Sequence, residues 1–374
     1  MTFVVFTSQL GAVSETFIRR HVEDIRPRET VAVARHASHP LGGHWSAPCP
    51  TLFLDRATAT LGRRLARRAG APIDRQRAAL VTAFLKRLGV TVALGEYLDQ
   101  FLEFAPLLDR LGIPYVAQGH GIDLSAALRD EAVARRYAAT YGSARAVLTR
   151  CEAHRRRLID LGLPAAKVHV NPGGVDIPAD IPTRSPASAK RLLAIGRMTA
   201  KKGPIYLLEA FRLAGARDPE LRLDYVGTGE LLPAARQFVS ACGLQDRVTL
   251  HGAASESQKA RLLAECGVFV QHSLTDPETG DEEGLPAAIQ EAMAHGLAVV
   301  STRHAGIPEA VVEGETGILV EEGDVAAMAE ALTAIAPRAA EFGAAGRRRA
   351  AALYGWEQER SRLSRWLFDD TARA

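Results

Sequence analysis

The strongest constraint on this chain is an alternation that is set out twice. Short apolar runs of strand length, rich in β-branched residues, are separated by amphipathic stretches of helical period. In the first half the strand-like runs are FVVFTS (3–8), VAVAR (31–35), VTVAL (90–94), PYVAQ (114–118), AVLTR (146–150) and KVHVN (167–171). Ser14 is placed to cap a helix carrying Phe17, Ile18, Val22 and Ile25 on one face. Alternation of this kind predicts parallel βα units. DIPADIPTRSPASAK (176–190), with its three prolines, breaks the pattern and reads as an interdomain linker. The alternation restarts with RLLAIGR, LRLDYVG, VTLHG, GVFVQHS, LAVVST and GILV. The expected fold class is therefore α/β, with two successive doubly wound, Rossmann-like parallel-sheet domains at 1–183 and 184–356. A last amphipathic helix, 357–374, carries Leu363, Trp366 and Leu367 and is expected to pack back on the first domain.

Composition narrows the function classes. A chain of 374 residues with 47% hydrophobic content can fill two cores. Its 46 Lys and Arg against 43 Asp and Glu are too balanced for a general nucleic-acid binder. Cys49, Cys151, Cys242 and Cys266 form no C-x-x-C pair and read as reduced thiols. The opening MTFVVFTSQL lacks a basic n-region and reads as a strand, not a signal peptide. No apolar run approaches the ~20 residues of a membrane span. The expectation is a cytoplasmic protein that touches a membrane only from its surface.

In open parallel sheets, ligands bind outside the carboxyl ends of the strands. GRMTAKKG (196–203) places Arg197 and Lys202 on a glycine-flanked loop at such an end, a pairing that suits a phosphate. The stretch after LDYV has Gly227 and Gly229 but lacks the third glycine of a dinucleotide fingerprint, so it reads first as a tight turn. DEEGLPAAIQEAMAHG (281–296) is the most informative stretch. Gly284 permits close backbone approach, Pro286 suits a first helical turn, and the helix end favours an anion or an electron-rich oxygen. Glu291 sits among alanines and a methionine, where a shielded acid is costly unless something pairs with it. Vicinal sugar hydroxyls could supply two charge-assisted hydrogen bonds to one carboxylate.

These motifs together resemble the family 4 glycosyltransferases, retaining enzymes of the GT-B fold whose two Rossmann-like domains face a central cleft. The resemblance rests on Glu283 and Glu291 in EGLPAAIQEAMAHG, on Arg197 and Lys202, on GHGID (119–123), and on VHVNPGGVD (168–176). The start, SQLGAVSETFIRRHVEDI, resembles the branch that builds exopolysaccharides of the colanic acid type. The resemblance implies a glycosyltransferase that moves a hexose from a nucleotide-diphosphate sugar, with UDP or GDP as the carrier. The acceptor would be lipid-linked or a polysaccharide, with retention and without a divalent metal or other cofactor. By the same resemblance His120 lies at the anomeric centre, and Glu283 holds a donor-sugar hydroxyl. Arg197 and Lys202 neutralise the leaving diphosphate, and Glu291 holds the ribose. Gly11, Asp123, Gly227, Gly284, Leu285 and Pro286 line the donor site. The chain departs from the family in three places: VALGEYLDQF (92–101) stands where many relatives are His-rich, Ala305-Gly306 replaces a double glycine, and DPETGDE (276–282) is an acidic insertion.

Three other readings concern single features. On a continuous helix, Glu283 and Glu291 would lie about 12 Å apart along the axis and point roughly 80° apart, too far for a glycosidase pair. Asp276, Glu278, Asp281 and Glu282 read as a solvated loop in preference to a metal site, because hard cations need converging oxygens. ATLGRRLARRAG (59–70), with Lys86 and Arg87, is expected to form a basic face for anionic lipid on the inner side of the plasma membrane. A nucleotide-sugar 2-epimerase and a non-catalytic nucleotide-sugar binder are the alternatives to a transferase.

Overall fold

The structure, a computed structural model, describes residues 1–11, 15–37, 45, 47–57 and 73–369. Ser14, proposed as a helix cap, and the basic segment 59–70 lie outside the described residues. Contacts divide the chain into two compact units, Met1–Asn171 with Glu359–Ala374, and Pro172–Gln358. The proline-based reading set the boundary at 183/184. The stretch after Asn171 is tied to the second unit instead, where Val175 bridges to Gly355 and Arg347 donates to the carbonyls of Pro178 and Ala179.

In the first unit the strands are β1 (Thr2–Gln9), β2 (Thr30–His36), β3 (Thr51–Phe53), β4 (Val90–Glu96), β5 (Tyr115–Gln118), β6 (Ala146–Thr149) and β7 (Val168–Val170). They form one sheet in the order β3-β2-β1-β4-β5-β6-β7, and every adjacent pair is parallel. Val5 pairs with Ala32 on one side and Leu94 on the other. Phe3 to Phe6 are all buried, so the central part of β1 is a continuous apolar run that does not alternate, as in a strand covered on both faces. Phe6 packs against Phe101 and Phe104 at ring distances of 5.5 and 4.9 Å. Burial of each such ring is worth about 1.5–3 kcal/mol. The terminal helix Trp356–Phe368 buries Leu363 and Leu367, and Phe368 meets Phe3 edge-on at 5.7 Å. β3 is the strand the sequence reading missed. It has three residues, all half-buried, too few to show a period.

The second unit holds β8 (Arg191–Ile195), β9 (Arg222–Val226), β10 (Val248–Gly252), β11 (Val268–Val270), β12 (Ala298–Thr302) and β13 (Gly317–Val320). Their order is β10-β9-β8-β11-β12-β13, again parallel. Leu192 and Ala194 of β8 join one core while Leu193 joins the other, the two-residue period of a strand between two helical layers. Among the described residues, no helix is long and apolar enough to cross a membrane.

In both sheets the strand order reverses beside the first strand of the unit, between β1 and β4 and between β8 and β11. Loops leaving the two strands at such a reversal diverge to opposite faces and open a crevice.

Ala305, after β12, stands at φ +41°, in the left-handed region, where a Cβ costs roughly 1–2 kcal/mol. Ala305→Gly should therefore stabilise the protein by a few tenths to about 1 kcal/mol after the added unfolded-state entropy is subtracted. Urea unfolding checks the sign, and a loss of stability would show that the alanine methyl makes contacts that outweigh its strain.

Candidate active site

At the reversal of the second sheet, β8 ends at Ile195 and the chain turns through Gly196, Arg197 and Met198. This loop is hydrogen-bonded to the loop after β9, with Gly196 N–H donating to Val226 O, Met198 N–H to Thr228 O and Leu231 N–H to Met198 O. The approach is close enough to demand glycine. A Cβ on Gly227 would lie 1.8 Å from Gly196 O, and one on Gly229 would lie 2.4 Å from Met198 O. The two glycines therefore hold the Arg197 loop in place. Arg197 itself is exposed.

A single 3₁₀ turn, Ala200–Lys202, then presents two cations where the sequence reading chose one. Lys202 Nζ lies 3.1 Å from Glu283 Oε2, and Lys201 Nζ lies 3.3 Å from Glu283 Oε1 and 2.9 Å from Asp281. Burial alone would raise the Glu283 pKa, but Lys202 and Lys201 override it and hold the carboxylate at about 2. Burial also lowers the Lys202 pKa, and Glu283 only partly opposes this with Lys201 alongside. Burial acts on Lys201 too, yet Glu283 and Asp281 outweigh it and raise its pKa. The acidic insertion is thus more than a solvated loop. Asp276 is turned onto its own backbone, accepting from Glu278 N–H and from the Thr279 hydroxyl, while Asp281 is half-buried on Lys201.

Gly284, Leu285 and Pro286 are buried and lead into the helix Ala287–Ala294. Pro286 sits one residue earlier than expected, at the N-cap with extended backbone. The carbonyl of Gly284 accepts from Gly306 N–H, and Glu283 N–H donates to His304 Nε2. Because the helix begins at Ala287, Glu283 lies off it, and the axial spacing estimated for a continuous helix does not apply. Glu291 is half-buried at the margin of the apolar face made by Ile289, Ala292 and Met293. Its partner within the chain is Lys259, whose Nζ is 3.0 Å from Glu291 and 3.2 Å from Glu256. The sequence offered no sign of Lys259, because it arrives from the helix Glu256–Glu265 by tertiary packing.

At the reversal of the first sheet, Gly11 follows β1 with φ +90°, a conformation that favours glycine. Beyond β5, Asp123 is fully buried, and its carboxylate accepts from the backbone N–H groups of His120, Gly121 and Leu98 at 2.9, 3.0 and 2.8 Å. Asp123, read as a donor-binding residue, thus spends its oxygens on shaping the His120 loop. His120 Nε2 lies 2.7 Å from Glu96 Oε2, and the other oxygen of Glu96 lies 2.5 Å from His21 Nδ1. Arg150 donates from Nε and Nη2 to His120 Nδ1, each at 3.2 Å, and from Nη1 to Glu359 at 3.3 Å. His21 Nε2 is 3.5 Å from the same Glu359 oxygen. Glu96, His21 and Glu359 are buried, and the sequence reading named none of them.

Burial works to lower the His21 pKa, but Glu96 and Glu359 reverse this and raise it to about 9. For His120, burial and then the charge of Arg150 lower the pKa in spite of Glu96. Burial would raise both carboxylates, yet their cationic partners hold Glu96 and Glu359 below the usual range.

With this geometry in view, the comparisons identify the class. Residues 189–336 match the family described as Glycosyl transferases group 1, and residues 63–178 match Glycosyltransferase Family 4. The chain belongs to this glycosyltransferase family, with the two Rossmann-like units of the GT-B fold. WcaL of Escherichia coli, named for colanic acid biosynthesis, is 35% identical over 48% of this chain and 44% of its own length. The amylovoran biosynthesis glycosyltransferase AmsK of Erwinia amylovora is 32% identical over 57% and 53%. The chain spans about half the length of the curated relatives it matches. Among solved structures, Anabaena Alr3699/HepE in complex with UDP superposes with a TM-score of 0.76 at 18% identity, over 97% of this chain and 98% of that one. Sucrose-phosphate synthase of Thermosynechococcus elongatus gives 0.72 at 20% identity, over 98% of each chain.

The elevated His21 pKa carries a pH signature. A group whose pKa is raised on folding stabilises the fold fully below its unfolded value, near 6.5, and ceases to do so as pH rises through about 9. Unfolding free energy should fall between pH 7 and pH 10 by on the order of 2–3 kcal/mol. In His21→Gln that slope should flatten, and an unchanged slope would place the titrating group elsewhere.

Proposed function

We propose that the protein transfers a hexose from a nucleotide-diphosphate sugar to a lipid-linked or polysaccharide acceptor, with retention at the anomeric carbon. The observation that carries this reading is the group of cations after β8, Lys201 and Lys202 held by Glu283 with Arg197 exposed beside them in the loop, at the reversal of the second sheet. A leaving diphosphate gains charge as the glycosidic bond breaks, and pre-placed cations outside bulk water stabilise that charge without reorganising. In this reading Arg197 and Lys202 meet the diphosphate, and Lys201 keeps Glu283 ionised and positioned for a sugar hydroxyl. Gly227 keeps the Arg197 loop in register. The first-turn N–H groups after Leu285 and Pro286 face the donor, and Glu291 grips the ribose. In this reading two side-chain cations, Arg197 and Lys202, and a helix end supply the electrostatics, so no divalent metal is needed. The acceptor hydroxyl attacks from the face the diphosphate leaves. Its oxygen bonds to the anomeric carbon, the carbon–oxygen bond to the diphosphate breaks, and the acceptor proton passes to the departing phosphate oxygen.

Support for the acceptor class comes from the relatives. WcaL and AmsK are named for exopolysaccharide biosynthesis, and a Mycobacterium tuberculosis relative, 28% identical over 56% of this chain, is named a GDP-mannose-dependent mannosyltransferase acting on a phosphatidylinositol monomannoside. In this reading the enzyme works on such an acceptor at the cytoplasmic side of the plasma membrane. The basic segment 59–70, with the exposed Lys86 and Arg87, is proposed to contact anionic lipid there.

Glu291 separates this reading from a structural one. Loss of two charge-assisted hydrogen bonds to ribose in Glu291→Ala should lower kcat/KM by about 10²- to 10⁴-fold. Lys259→Met, which removes only the intramolecular partner, should stay within roughly tenfold of wild type. Equal losses in the two variants would mean that Glu291 exists for Lys259. Thermal-shift assays with UDP, GDP and their sugars test the donor directly, since a ligand of the folded form raises Tm.

For the membrane contact, sedimentation should carry the protein down with anionic but not neutral vesicles. Equal partitioning onto both would remove the proposed lipid contact.

A further inference from the structure

His120 sits where the reaction is expected, yet the structure leaves its ring no free nitrogen. Nδ1 faces two N–H donors of the Arg150 guanidinium, both at 3.2 Å, so it must act as an acceptor. The remaining proton of a neutral imidazole is then on Nε2, aimed at Glu96 Oε2 at 2.7 Å. Two further rings crowd the imidazole, Phe17 at 4.4 Å and Tyr97 at 4.6 Å between ring centroids. A protonated ring would turn an N–H toward the guanidinium, which charge repulsion opposes.

Glu96 is what closes this arrangement. It ends β4 at the reversal of the first sheet. Its side chain is fully buried, and each oxygen serves a different histidine, His21 and His120. Two buried anions, Glu96 and Glu359, are balanced by His21 and Arg150, so removing the charge of Glu96 would leave two cations against one. The next residue, Tyr97, has φ +63°, strained for a non-glycine residue. It is held there by its N–H on Gln118 O and by its hydroxyl on Glu15 at 2.9 Å.

We infer that Glu96 is a positioning residue for the transfer reaction: it bridges His21 and His120 and locks His120 as the neutral Nε2–H tautomer against Arg150, so that His120 is held fixed and transfers no proton. This rests on the glycosyltransfer reading above and extends it, since it leaves the departing diphosphate as the acceptor of the proton. The groups that face His120 are Glu96 from β4, Arg150 from the turn after β6, Asp123 on the His120 backbone, and the rings of Phe17 and Tyr97.

The test uses the full-length protein and two readouts. In wild type, ¹⁵N NMR of the imidazoles should show His120 as the Nε2–H tautomer, untitrated between about pH 5.5 and 8, where a free histidine would change charge. Glu96→Gln offers one acceptor in place of two, so one histidine loses its partner. It should lower kcat by about 10- to 100-fold, as small misplacements of site groups do, with the donor KM within roughly threefold. An Nδ1–H or titrating His120 in wild type overturns the inference, as does Glu96→Gln with kcat within about threefold of wild type. Should the variant not fold, the wild-type tautomer still decides. Failure of every nucleotide sugar to raise Tm or be consumed would defeat the glycosyltransfer reading, while the NMR result would still judge the lock on His120.

Discussion

Glu96 and Glu283 are carboxylates withdrawn from water, and much of the local structure of both units follows from how each is compensated. An isolated ionised carboxylate in a protein interior is too costly to persist, so each has drawn cations around it. Glu283 takes Lys201 and Lys202 from one 3₁₀ turn, and Glu96 takes the charged His21 on one oxygen and the N–H of a neutral His120 on the other. In each case the carboxylate stands at the end of the first strand beyond the reversal point or in the loop that follows it, and its partners come from other elements: the loop after β8 for Glu283, the first helix and the loop after β5 for Glu96. The topology creates the crevice, and pairing of charge decides which side chains occupy it.

The two arrangements differ in what they leave over. In the first unit the charges close on one another, with His21 and Arg150 set against Glu96 and Glu359. Asn171 further ties Glu359 to Gln118, and Arg362 donates to Asn171. The chain's return through the terminal helix is what supplies Glu359, so a residue near the end of the sequence completes a network begun in the first helix. In the second unit the account stays open toward cations at Arg197, which is exposed. A closed set suits a wall whose shape must not change, whereas an open one suits a ligand that arrives carrying negative charge.

What could be read in the sequence and what could not divides along contact distance. Strands buried on both faces announce themselves as continuous apolar runs, so β1, β4 and the second-unit strands were legible, whereas the three-residue edge strand β3 was not. The Arg197 loop and Glu283 were legible because glycine, cation and acid stand at strand ends in local patterns. Lys201 was passed over because adjacent lysines cannot be told apart without the turn that aims them. Lys259, His21 and Glu359 carry no local signal at all. His21 and Glu96 are 75 positions apart, and Arg150 and Glu359 are 209 apart, so only the folded chain brings them together. Glu96 was partly visible, as an acid closing the apolar run VTVALG, but nothing nearby named its partners.

The acidic insertion shows the same logic in a chain's individual variation. Its first acid, Asp276, is consumed by the turn it forms, which brings Asp281 back onto Lys201. Lys201 is thereby divided between Asp281 and Glu283, and its charge is largely neutralised before any ligand arrives. Lys202, with Glu283 as its anion, and the exposed Arg197 remain for the diphosphate proposed above. An insertion that looks from sequence like a solvated loop thus lowers the net positive charge of the site. It also steadies the Glu283 carboxylate by holding one of its two lysines from behind, so that a fixed carboxylate is gained at the expense of net positive charge.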